Sequence, residues 1–150
     1  MAVKKAGNVQ GGRFVRTLVD GRECVCLKAI GHGKDYTNHY VVPLDPPADG
    51  DLKMLYVDYS VEVEDCNGAY SLALDPVDAP PEVGHVLVTG KGSFIKVHES
   101  NKGAWSLGYV DIKSGAVRRR QERDITGVFR WRLVPHHPEG VLGKLRSLLG

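Results

Sequence analysis

The densest group of side chains with binding chemistry is an arginine run near the C-terminal third of the chain. Arg118, Arg119 and Arg120 are consecutive, and Arg123 follows after two residues. Alternate residues of an extended strand share a face, so we expect Arg118 and Arg120 on one face and Arg119 on the other. Guanidinium groups pair with phosphates, and arginine is also enriched in protein interfaces. The run therefore indicates a nucleic-acid contact, a protein contact, or a solvated strand held by salt bridges.

Two further arginines follow in the segment FRWRLV, where they alternate with aromatic residues. Single-strand binders need basic and aromatic side chains on the same face. The alternation separates Phe129 and Trp131 from the arginines, which favours aromatic rings in the core and arginines outside. An OB-like or SH3-like module that binds single-stranded nucleic acid is therefore an alternative hypothesis. Its residues would be Arg118, Arg120, Arg130 and Arg132.

A second group combines two imidazoles and a carboxylate, His32, Asp35 and His39, which are types of side chain that bind metal ions. Their spacing would suit one face of a helix. Glycines beside His32 and strand-forming residues after His39 instead indicate a loop, in which spacing does not fix geometry. A small metal-dependent enzyme that uses these three residues is a weaker alternative.

Motifs for known catalytic chemistry are missing from the sequence. It contains neither a G-x-x-x-x-G-K-[ST] phosphate loop nor a serine in a nucleophile elbow. The sequence therefore predicts a protein that is not an enzyme and needs no cofactor.

Composition is that of an ordinary soluble protein. The chain has 150 residues, of which 42% are hydrophobic and 25% charged, and its formal net charge is +2. Such a charge provides no global attraction to nucleic acid or membranes, so any anionic partner must meet a local patch. No apolar run approaches the ~18 residues of a membrane span, and no signal peptide is recognisable. Three cysteines, Cys24, Cys26 and Cys66, are expected to be reduced, and we predict a cytoplasmic protein.

The elements that must position these residues read as short strands. The runs WSLGYVDI and AVRRRQERDITGVFRWRLV flank the turn Lys113-Ser114-Gly115, and we predict a long central hairpin there. Asp20-Gly21 gives the strongest hairpin signal of the chain, because both central positions of a type I′ turn need positive φ. Further hairpins are predicted around Asn67-Gly68 and at Lys91-Gly92.

The two ends differ from the rest of the chain. Residues 1–12 are polar and contain glycine, as in an arm, whereas residues 135–150 read as a hinge followed by a short amphipathic helix. A helix of about ten residues is marginal in water and must dock on something. The predicted protein-interface residues are Val141, Leu142, Leu145, Leu148 and Leu149.

Together these patterns predict an all-β domain at residues 13–134, an antiparallel sandwich or barrel of about eight to ten strands with one short C-terminal α-helix. The leading functional hypothesis is a structural component of a larger assembly, such as a capsid-decorating, head-to-tail or tail protein of a phage or virus. Its partners would be other protein subunits, as a homo-oligomer or a multi-protein particle, in the host cytoplasm and the virion. Nucleic acid is a possible partner, and a membrane is not.

Overall fold

The structure, a computed structural model, describes residues 2–45, 52–99, 106–120 and 123–136. Within these ranges it is nearly all β, which confirms the predicted class. The strands are β1 (Val3–Lys5), β2 (Phe14–Val19), β3 (Arg22–His32), β4 (Thr37–Asp45), β5 (Lys53–Val57), β6 (Glu62–Asp65), β7 (Tyr70–Pro76), β8 (Val86–Thr89), β9 (Gly92–Glu99), β10 (Leu107–Asp111), β11 (Val117–Arg118) and β12 (Gly127–Pro135). The predicted C-terminal helix with its five interface residues, and Trp105, lie outside the described ranges.

The strands form one extended, mixed sheet with the order β1-β6-β2-β3-β4-β5-β9-β8-β12-β7, and β10 pairs with both β9 and β11. All pairs are antiparallel except β5 with β9, which are parallel through Lys53↔His98 and Met54↔Glu99. The prediction of a purely antiparallel arrangement with about eight to ten strands was wrong in these details. The strand count was too low because β1 and β11 are only three and two residues long, too short to give a periodic signal.

Two predicted hairpins are confirmed. β2 and β3 pair from Phe14↔Leu27 to Val19↔Arg22, and the turn between them has φ of 50° at Asp20 and 77° at Gly21, as a type I′ turn requires. β8 and β9 also pair, but their turn lies at Gly90 and Lys91, one residue earlier than predicted.

The central hairpin is much shorter than predicted. β10 pairs with β11 only through Tyr109↔Arg118 and Val110↔Val117. The chain then leaves the sheet, and β12 pairs with β7 and β8 instead of β10. Asp124, with φ of 58°, lies in the left-handed region that interrupts an extended strand. The second arm of the predicted hairpin is therefore divided into β11 and β12, which pair with different strands.

The hairpin predicted around Asn67-Gly68 was also wrong. The turn exists, because the Ala69 amide donates to the Cys66 carbonyl at 2.9 Å. Its flanking strands do not pair with each other: β6 pairs with β1 and β2, whereas β7 pairs with β12. The turn therefore carries the chain from one half of the sheet to the other.

The N-terminal residues lie on the body of the protein. β1 pairs with β6, and a turn of 3-10 helix follows at Ala6–Asn8. Ala6 and Val9 are buried in a cluster with residues of β2, β3, β4, β5 and β6. The segment that the sequence describes as an arm thus covers one face of its own sheet.

The largest buried cluster combines side chains from both halves of the sheet. It includes Leu27 and Val42 from one half, and Ile95 and Val110 from the other. The predicted core positions Phe129, Trp131 and Leu133 of β12 pack against this cluster, whereas Arg130 and Arg132 are exposed. The alternation read from the sequence is confirmed for this strand. Within the described ranges, no helix has the length and apolarity needed to cross a membrane.

Candidate functional site

A cleft of about 1230 Å³ lies where β11 and the segment after it meet the β8–β9 turn. Five of the eight described lining residues are basic and one is acidic. The lining residues are Thr89, Gly90, Lys91, Arg118, Arg119, Arg120, Arg123 and Asp124. We call this site the cationic cleft.

Arg119 is fixed in the cleft by a buried carboxylate. Its Nε and Nη2 donate to the two carboxylate oxygens of Glu99 at 3.0 and 2.8 Å, and Nη2 also donates to the Tyr40 hydroxyl at 3.3 Å. Glu99 and Tyr40 are 2% and 1% exposed. These hydrogen bonds from the guanidinium to Glu99 raise the pKa of Arg119. Because Glu99 neutralises Arg119, this arginine contributes geometry to the cleft more than charge.

Arg118 is held by a different contact. Its guanidinium carbon lies 4.7 Å from the centroid of the Phe94 ring, which is fully buried. A cation over an aromatic face gains about 0.5–1 kcal/mol at a partly exposed site. Phe94 and Glu99 are five residues apart on β9 and so lie on its opposite faces. Arg118 and Arg119 thus contact opposite sides of the sheet, although Arg119 lies one residue beyond the end of β11. This contact orients the guanidinium of Arg118, which also lines the cleft.

The opposite wall of the cleft is the tight turn between β8 and β9. The Lys91 amide donates to the Thr89 hydroxyl at 3.1 Å, and that hydroxyl donates to the Gly92 carbonyl at 3.4 Å. These two bonds order the turn from within. Lys91, which is exposed, therefore projects from a defined backbone.

Arg123 and Asp124 reach the cleft because the following residues are anchored on β8. The amide of Thr126 donates to the Val88 carbonyl at 2.8 Å. Ile125 packs against the cluster of Leu87, Phe94 and Tyr109. This anchoring brings positions 123 and 124 next to the β8–β9 turn, although more than thirty residues separate them in sequence.

The four arginines of the nucleic-acid hypothesis divide into two pairs. Arg118 and Arg120 line the cationic cleft, whereas Arg130 and Arg132 lie on the exposed side of β12, outside its described lining. Sequence reasoning assigned no role to Lys91, Arg119 or Arg123 in the site. Arg119 and Arg123 belong to the recognised run, but nothing in the sequence connects that run to Lys91.

The three residues of the metal hypothesis lie on the β3–β4 hairpin, which forms where a loop was predicted. His32 ends β3, Asp35 is in the turn, and His39 is in β4. In the part of the chain that the structure describes, no three His, Cys, Asp or Glu side chains are grouped closely enough to hold a metal ion.

His39 instead contacts a buried lysine. Nζ of Lys28 lies 2.9 Å from Nδ1 of His39, and Lys28 has no exposed surface. Burial lowers the pKa of Lys28 to about 8 and, together with the Lys28 charge, lowers the pKa of His39. An ammonium has only donors, so Nδ1 accepts, and the neutral ring carries its proton on Nε2.

The three cysteines are free and buried, as predicted. Burial raises the pKa of each thiol, most strongly that of Cys26. A buried, protonated thiol is a poor nucleophile, so these side chains act as small apolar groups of the core.

Comparison of the chain with protein-family models, with curated proteins and with solved structures finds no match.

Proposed function

We propose that the protein is a non-enzymatic binding module that holds a strand of nucleic acid by its phosphates in the cationic cleft. The observation that supports this proposal is the convergence of five basic side chains from two separate parts of the chain on one concave site. Phosphates pair well with guanidinium groups because two N–H donors match two oxygens.

Local charge supports an anionic ligand even though the molecule as a whole is nearly neutral. Besides Arg119, whose charge Glu99 compensates, the described lining contains four basic residues, Lys91, Arg118, Arg120 and Arg123, and one carboxylate, Asp124. A concave surface bounded by a low-dielectric core concentrates the field of such charges. A chain of phosphates fits this distribution better than one compact anion, because the basic residues come from the β8–β9 turn and from a separate segment at positions 118–120 and 123.

The proposed module is built on a sandwich-like body. The largest buried cluster combines side chains of β3, β4 and β5 with those of β8, β9 and β10, which favours two packed layers. Rigid strands beneath the cleft would hold the basic side chains at fixed separations, which reduces the ordering cost of binding.

The test is a titration of a labelled single-stranded oligonucleotide at low salt, followed by fluorescence anisotropy. We expect Arg120→Ala to weaken binding about 5- to 10-fold, because one phosphate contact is lost. Arg130→Ala is the matched control, since it removes an exposed arginine outside the cleft, and we expect unchanged affinity. Equal losses in both variants, or no binding by the wild-type protein, would contradict the proposal.

A component of a larger protein assembly is the second candidate. Two apolar side chains, Leu18 and Val3, are 72% and 66% exposed. Within the described ranges β7 pairs with one strand only, so its other edge is open. Exposed apolar side chains and open strand edges favour contacts between subunits. A chain that lacks residues 138–150 should then form a smaller particle in light scattering while its circular dichroism is retained. An unchanged native mass after that deletion would argue against this candidate.

A further inference from the structure

Two side-chain contacts connect an exposed tyrosine to Arg119 of the cationic cleft. Tyr56 of β5 is 52% exposed, and its ring packs edge to face on Tyr40 at a centroid distance of 6.2 Å and an interplanar angle of 82°. Tyr40 is buried and pairs directly with Tyr56 across β4 and β5. The Tyr56 ring is therefore held by its neighbour while about half of its surface faces solvent.

The same Tyr40 connects this ring to the cleft. Its hydroxyl accepts a hydrogen bond from Nη2 of Arg119, and Glu99 holds the rest of that guanidinium. Two side-chain contacts thus separate the exposed ring of Tyr56 from a residue that lines the cleft. Because Tyr40 and Glu99 are buried, this connection is rigid.

The pairing of a basic groove with an exposed aromatic ring has a specific chemical meaning. Single-strand binders track the phosphates with basic groups and stack bases on aromatic side chains. Among its described lining residues the cleft itself has no aromatic side chain. Tyr56, which Tyr40 connects to Arg119, would supply the stacking surface that the described lining lacks.

We infer that Tyr56 is a base-stacking residue, and that the ligand of the cationic cleft is therefore a single strand with accessible bases. This inference rests on the proposed function. A duplex keeps the faces of its bases inside the stack, so it offers Tyr56 no base to stack on, and its binding would not depend on Tyr56. The arrangement consequently selects single strands over duplexes.

The experiment compares two labelled probes of about ten nucleotides, a length within the usual range for sites that bind single-stranded nucleic acid. One is an oligothymidine, and the other is an abasic deoxyribose phosphate chain with the same charge. We expect the wild-type protein to bind the oligothymidine about 10-fold more tightly than the abasic chain, because only the former stacks. Tyr56→Ala should bind both probes equally, and Tyr56→Phe should keep the preference.

The abasic chain also serves as the folding control, because Tyr56→Ala should bind it as tightly as the wild-type protein does. Tyr36→Ala is the matched control, since Tyr36 is 60% exposed and lies in the β3–β4 turn. We expect it to behave like the wild type. A preference for oligothymidine that survives in Tyr56→Ala, or that is lost equally in Tyr36→Ala, would overturn the inference. Equal binding of both probes by the wild type would also overturn the inference about Tyr56, but it would not contradict the proposed function. If the wild type bound neither probe, the proposed function would be contradicted as well.

Discussion

At the scale of single residues, two cationic side chains, Arg119 and Lys28, differ in their partners. Arg119 has a carboxylate partner in Glu99, so its charge is compensated where it enters the protein. Lys28 has only the imidazole of His39 as a side-chain hydrogen-bond partner in the described contacts, and burial lowers its pKa to about 8. The first arrangement fixes the position of a side chain whose charge is compensated, whereas the second makes a buried charge costly to the fold.

This cost makes the stability contribution of Lys28 depend on pH. The folded-state pKa of about 8 lies below the ordinary value of 10.5, so below pH 8 folding must bury a cation. The penalty disappears as the pH rises from 8 to 10.5, because the unfolded chain then loses its proton too. Lys28→Met does not carry this penalty, and the wild type does. We therefore expect the difference in free energy of unfolding between the two proteins to shrink by about 2–3 kcal/mol from pH 7 to pH 10.

Urea denaturation of both proteins across this pH range would measure the difference. The raised pKa values of the buried thiols affect both proteins alike, so their effect cancels. Lys34→Met is the control, because Lys34 is exposed in the β3–β4 turn, and we expect its difference from the wild type to stay constant. A constant difference for Lys28→Met as well would contradict the account of this lysine.

At the scale of elements, local turn chemistry was predictable from the sequence and strand partners were not. Asp20-Gly21 encodes a turn that joins two neighbouring strands, because both positions adopt the left-handed region with little steric cost. Asn67-Gly68 carries the same signal, yet its strands pair elsewhere. A turn motif fixes the direction of the chain over four residues, whereas strand pairing depends on contacts across the whole sheet.

The β10–β11 turn shows how backbone contacts across the sheet add to this local signal. Gly115 has φ of 71°, and its amide donates to the Asp111 carbonyl at 2.7 Å. The carbonyl of Gly115 accepts from the Ile30 amide of β3 at 2.8 Å. A Cβ at this position would overlap the backbone of Gly12 and Lys28. The glycine thus serves both the turn and the close approach of β3.

We expect Gly115→Ala to lower the free energy of unfolding by about 3 kcal/mol, because it adds a clash to an unfavourable φ. Gly21→Ala is the matched control, since Gly21 has φ of 77° with open space around the position of a Cβ. There we expect a loss of about 1 kcal/mol from backbone strain alone. Chemical denaturation would measure both, and equal losses would show that the contact with Gly12 and Lys28 carries no weight.

At the scale of the whole molecule, the sequence predicted the β class, the buried side of β12 and the reduced cysteines. It did not predict the cationic cleft, because the pairing of β12 with β8 is what brings Lys91 and the arginine run together in space. It also assigned Arg130 and Arg132 to the same surface as Arg118 and Arg120, since the predicted second arm was a single strand. Breaking that arm at Asp124 puts the two pairs of arginines in different places.

The most direct test of the central claim is the salt dependence of oligonucleotide binding by the full chain. Four basic side chains besides Arg119 line the described cleft, and neutralising about three or four phosphates of a single strand predicts a slope of about −2 to −3 for log K against log salt. Arg120→Ala should reduce the steepness of this slope by about 0.7, whereas Arg130→Ala should leave it unchanged. A slope near zero, or no binding at the lowest salt concentration, would contradict the claim that the cationic cleft binds a strand of nucleic acid.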